Sequence, residues 1–85
     1  MNDFVVDNFN RIFERDHTPE EVEEISMKGS ESEILVIKVL HDMCYGQYGV
    51  TFYELWRVLS EEKLKRLSET NHVYKEALND YETLS

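Results

Sequence analysis

The stretch Glu31–Tyr45, reading ESEILVIKVLHDMCY, restricts the possible folds of this chain more than any other. It carries Ile34, Leu35, Val36, Ile37, Val39, Leu40, Met43 and Cys44, so as a helix most of its circumference must be covered by other elements. The β-branched Ile34, Val36, Ile37 and Val39 would also suit a buried strand. Three features decide for a helix. The apolar run continues through Met43 and Cys44, too long for a typical strand. Ser30 and Glu33 have the spacing of a capping box, in which the hydroxyl accepts an orphan N–H and the carboxylate reaches back to the cap. Gly46 follows the last apolar residues, where a helix often stops in a left-handed conformation. The expected fold is all-α, a small bundle of four to five helices around a central helix at about 31–45.

The flanking segments carry the same grammar. Over residues 3–16, Val5, Val6, Phe9, Ile12 and Phe13 share one face of an amphipathic helix, with Asn2 or Asp3 as its cap. Thr18-Pro19-Glu20-Glu21 combines a preferred cap, proline at the first helical position and glutamate at the third. It predicts a short helix to about Met27 with Val22 and Ile25 inward. Gly46-Gln47-Tyr48-Gly49 forms a turn, and Thr51 to Glu54 opens another capping box. Phe52, Leu55, Trp56 and Leu59 then make one apolar stripe, and no glycine or proline follows Gly49, so helix is expected through about Tyr81. The whole chain, 1–85, reads as one domain: acidic N-terminal helices over 3–28, the central helix, and C-terminal helices over 51–81.

Charge is where the sequence bears on function. The net charge is −9, and it is uneven: residues 1–33 hold ten acids against three bases, residues 34–85 eight against six. Asp16, Glu20, Glu21, Glu23 and Glu24 place five acids within nine residues with no Lys or Arg among them. Part of this complements a helix dipole and solvates a face. The sharper expectation is a docking surface for a basic partner, joined by Glu31 and Glu33, because like charges so close destabilise a helix unless something neutralises them. The same negative charge repels phosphate backbones and sets direct nucleic-acid binding at a disadvantage. A protein with a basic surface, including one that itself binds nucleic acid, is the expected partner. Tyr45 and Tyr48, beside the glycines, would suit an interface if exposed; turn packing is their other use.

A second pattern concerns self-association. Ser60, Leu64, Leu67, Asn71, Tyr74, Leu78 and Tyr81 alternate by four and three, as in a coiled-coil seam, with Asn71 where a buried Asn fixes register. A homodimer seam through Leu64, Leu67, Asn71, Tyr74, Leu78 and Tyr81 therefore competes with packing of a terminal helix on its own domain.

Residues 33–67 resemble the helical half of a winged-helix or helix-turn-helix domain. A long apolar helix, a turn, then Val50-Thr51-Phe52-Tyr53-Glu54-Leu55-Trp56 and a third helix opening at Ser60-Glu61-Glu62-Lys63-Leu64 carry the likeness. The resemblance implies a DNA-reading third helix using Lys63, Lys65 and Arg66. Glu61, Glu62 and Glu69 flank those bases, and nothing like a wing follows, so the implied scaffold lacks the usual DNA-reading surface.

No catalytic signature is present, and no enzyme activity or cofactor is expected. His41 and Cys44 stand at i, i+3, but a structural zinc site needs four ligands and no CxxC or HxxxH completes one. Cys44 is expected as a small buried hydrophobe, which suits a reducing compartment. No apolar run approaches membrane-spanning length and no signal peptide is visible, so the expected location is the cytoplasm.

Overall fold

A computed structural model describes the backbone of residues 1–84 and every side chain there except those of Tyr81 and Leu84. Its six helices are α1 (Asp3–Phe13), α2 (Pro19–Lys28), α3 (Glu31–Tyr45), α4 (Phe52–Val58), α5 (Glu61–Ser68) and α6 (His72–Leu84). There is no strand among the described residues. Nor is any helix there long and apolar enough to cross a membrane.

The starts of the helices follow the local chemistry. Thr18, Ser30 and Thr51 each accept from the N3 backbone N–H, while Glu21, Glu33 and Glu54 reach back to the cap N–H. Each such cap is worth about 1 kcal/mol. Asn2 caps α1 and Ser60 caps α5. α3 ends where Gly46 takes the left-handed conformation (φ 64°, ψ 36°). α1 stops three residues earlier than its periodicity suggests. Glu14 adopts a left-handed φ of 56°, and the Asn10 side chain closes the following loop on the backbone N–H and carbonyl of His17, both at 3.0 Å.

α3 lies at the centre, with α1, α2 and α4 on it and α5 bridging α1 and α4 to α6. Val5, Phe9 and Ile12 of α1, Val22 of α2, Val36, Val39 and Leu40 of α3, Leu55 of α4 and Leu67 of α5 are fully buried together. At roughly 1.5–3 kcal/mol per large apolar side chain, this cluster is the main favourable contribution to the fold.

Three expectations are corrected. The bundle has six helices rather than four or five, because the C-terminal region breaks twice: at Leu59–Ser60, and again at Glu69–Asn71 without any glycine or proline. The second break falls within the proposed dimer seam. Asn71 is not a buried seam residue; its Oδ1 accepts from the Val73 N–H at 2.9 Å in the first turn of α6. Leu64, Leu67 and Leu78 are buried in the domain's own core, and Tyr74 packs against it, its ring stacked 6.1 Å from Phe52. The side chain of Tyr81 lies outside the described residues. Finally, Cys44 is exposed. It sits in the last turn of α3, and residues 44–49 are all exposed.

Candidate functional site

The proposed acidic residues divide into groups. Glu20, Glu23 and Glu24 stand at i, i+3 and i+4 of α2, a spacing that puts them on one helix face, and all three are exposed. Met27, 71% exposed, continues that face. Val22 holds it in place, buried on the opposite side. None of the three carboxylates takes part in an ion pair among the described residues. Asp16 is exposed in the loop before α2 and borders a separate cleft with Asp7, Arg11 and Arg15.

Glu21 and Glu33 have other work. Their Oε1 atoms accept from the cap N–H groups of Thr18 and Ser30, each at 2.9 Å. Those backbone bonds, helped by the cap hydroxyls, hold both carboxyls below the usual glutamate range. Glu31 is exposed but belongs to a different cleft, about 570 Å³, between α3 and α4, where Lys38 and Arg57 share the lining with Glu54. Of the seven candidates, Glu20, Glu23 and Glu24 thus share one helix face.

The cations that the helix-turn-helix resemblance would place on DNA have partners within the chain. Arg66 has a side chain only 21% exposed; it donates to the Ile12 carbonyl at 3.0 Å and pairs with Glu14 at 2.9 Å and with Glu62. Arg11 answers it, donating to the Arg66 carbonyl at 2.8 Å and pairing with Glu69 at 3.2 Å. The two guanidiniums thus cross between α1 and α5, each taking a carbonyl near the C-terminal end of the other's helix. Lys65 pairs with Glu61, and Lys63 lies over the Phe13 ring. Sequence reasoning missed this clamp because its partners stand more than fifty residues apart.

The turn after α3 was expected at Gly46–Gly49, but the side chain that closes it was not. Asp42 accepts from the backbone N–H groups of Tyr48 and Val50, the latter at 2.7 Å. Burial raises its carboxyl pKa, but the N–H groups of Val50, Tyr48, Gln47 and Gly49 outweigh that and hold it below the ordinary aspartate range. This turn presents Tyr45 and Tyr48, 63% and 49% exposed, beside the His41 ring. Among the described residues no three His, Cys, Asp or Glu side chains form a group that could hold a metal ion.

Comparison with protein-family models, with curated proteins and with solved structures finds no match to the chain.

Proposed function

We propose that this chain is a non-enzymatic acidic binding module that docks through α2 on a basic surface of another macromolecule, as an inhibitor or adaptor. The observation that carries the reading is the face of Glu20, Glu23 and Glu24: exposed, of one sign, and without an ion pair among the described residues. Such a face raises the local concentration of a cationic partner and steers its approach. Exposed Met27 supplies an adaptable apolar contact within the same face. In the form that mimics nucleic acid, these carboxylates take the place of phosphates in a partner that binds nucleic acid. The two other readings draw less support. A DNA-reading α5 would have to give up the pairs that hold Arg66 and Lys65, and a dimer seam would have to withdraw Leu64, Leu67 and Leu78 from the core.

The test compares two triple variants by isothermal titration with a lysine-rich cationic peptide at low salt. Glu20→Gln/Glu23→Gln/Glu24→Gln is expected to weaken binding by about tenfold, with a loss that shrinks as salt is added. Glu61→Gln/Glu62→Gln/Glu69→Gln removes the same formal charge from α5 and the residue after it and should leave most of the affinity. Equal losses from the two sets would reduce the effect to net charge and end the reading. Glu21 stays out of the test because its carboxylate closes the Thr18 cap.

A further inference from the structure

The residues that lead into α1 meet α2 and the end of α3 at a cleft of about 560 Å³ lined by Met1, Asn2, Glu23, His41, Tyr45 and Gln47. One wall is the Tyr45 ring, which is exposed yet fixed. Its hydroxyl oxygen accepts from Asn2 Nδ2 at 2.9 Å, and its ring centre is 4.6 Å from that of His41. Asn2 is pinned in turn, since its Oδ1 accepts from the Val5 N–H at 2.9 Å in capping α1. A wall held this way loses little freedom when a ligand arrives.

This cleft holds one carboxylate, that of Glu23, and the Met1 amino group, which lies in the lining without pairing with it. Glu23 has no ion pair among the described residues. α3 ends here with no basic residue in its last turn, so the negative end of its dipole has no cationic side chain to offset it. α1 also begins here, but the Asn2 cap covers an N–H of its first turn and Asp3 offsets its positive end. The neighbouring Tyr48 already has a cation, the Lys38 ammonium 5.6 Å from its ring centre. Among the described residues none lies over Tyr45.

We infer that this cleft is an arginine slot: it receives one guanidinium of the docking partner, stacked on Tyr45 and paired with Glu23. The inference rests on the docking role proposed above and names the side chain that anchors it. A guanidinium fits better than an ammonium because it is planar, stacks on an aromatic face and forks onto a carboxylate. The ammonium is compact and more strongly hydrated.

Hexa-arginine and hexa-lysine, which carry equal charge, separate the slot from general attraction. Titrated by NMR into the full chain, hexa-arginine should bind roughly fivefold more tightly and shift Tyr45 and Gln47 resonances. Tyr45→Leu and Glu23→Gln should each bring the ratio of the two affinities close to one. Tyr45→Phe keeps the ring and should keep the preference, which guards against reading a folding defect as a binding one. Glu20→Gln, on the same face but outside the cleft, should weaken both peptides and leave the ratio alone. If the parent binds both peptides equally, and Glu20→Gln and Glu23→Gln weaken them alike, the slot is wrong while the docking face stands. If neither peptide binds, both fall.

Discussion

α2 and α5 start from similar material and end with their carboxylates in opposite conditions. Each opens with a hydroxyl cap and two glutamates in its first turn: Glu20 and Glu21 in α2, Glu61 and Glu62 in α5. In α5, Lys65 and Arg66 follow one turn later and take those acids at i, i+4 spacing, while Arg66 also reaches into α1. In α2 the corresponding turn holds Glu24 and Ile25, and its one base, Lys28, comes at the end. So α5 spends its charge within the molecule, and α2 presents Glu20, Glu23 and Glu24 outward. The number of acids in a helix says little about function; the position of the cations one turn away says whether those acids are available.

The sharpest way to break this contrast is at Arg66. Arg66→Ala removes the charged donor to the Ile12 carbonyl and leaves Glu14 and Glu62 without their shared cation. The guanidinium is mostly covered, so solvent screening is limited, and the expected loss is about 1.5–3 kcal/mol in urea unfolding. Arg66→Lys keeps a charge but not the fork, and should recover only part of it. A loss below about 0.5 kcal/mol, the range of ordinary surface substitutions, would mean the α1–α5 clamp contributes little and the contrast is only apparent.

Asp42 offers a third outcome for a carboxylate: neutralised by backbone N–H groups, not by cations. Asp42→Ala should cost about 1–2 kcal/mol by orphaning two of those groups, and added salt should barely change the difference. Salt should narrow the effect of variants in the more exposed Arg11–Glu69 pair. The pH dependence has a definite sign. The folded-state pKa of Asp42 lies below its unfolded value, so its contribution is fully present above the ordinary aspartate value of about 4 and disappears as pH falls through the depressed one. Glu21 and Glu33 act in the same direction through their caps. Unfolding free energies measured down through this range should show a shallower acid loss for Asp42→Asn than for the parent; parallel curves would contradict it.

What was legible in the sequence was local. The three capping boxes close within four residues, so Thr18, Ser30 and Thr51 announce the starts of α2, α3 and α4, and Gly46 announces the end of α3. The outward acids of α2 were legible too, because Val22 fixes which face turns in. What failed was whatever needed distance. Asn71 has one chemistry for two uses, a seam amide or a cap, and only the break after Ser68 decides between them. Cys44 lies in an apolar run, but nothing in that run says that the end of α3 is left exposed. Glu21 and Glu33 look like further members of an acidic surface until their hydrogen bonds are seen. The cleft at Tyr45 gathers residues 2, 23, 41 and 45 from two helices and the cap of a third, and no window of sequence contains it.

The smallest effect sharpens the comparison most, because its sign differs between the two helices. Relieving repulsion among Glu20, Glu23 and Glu24 should stabilise the fold, since like charges at i, i+4 cost a few tenths of a kcal/mol each. Glu24→Gln, at such a spacing from Glu20, is therefore expected to raise the unfolding free energy by about 0.2–0.5 kcal/mol at low salt, whereas Glu20→Gln also removes a first-turn carboxylate from the positive end of the helix dipole and should gain less. That gain should fade at about 1 M salt, where the screening length falls to roughly 3 Å. Glu62→Gln, at the matching place in α5, breaks the pair with Arg66 and should lower stability by a similar amount. Thermal melts at both salt concentrations measure the three variants together. On the proposed docking role the α2 acids act outside the molecule, so a stabilising sign at α2 alone is its expected outcome; the same sign at both helices would leave the α2 acids no different from the rest.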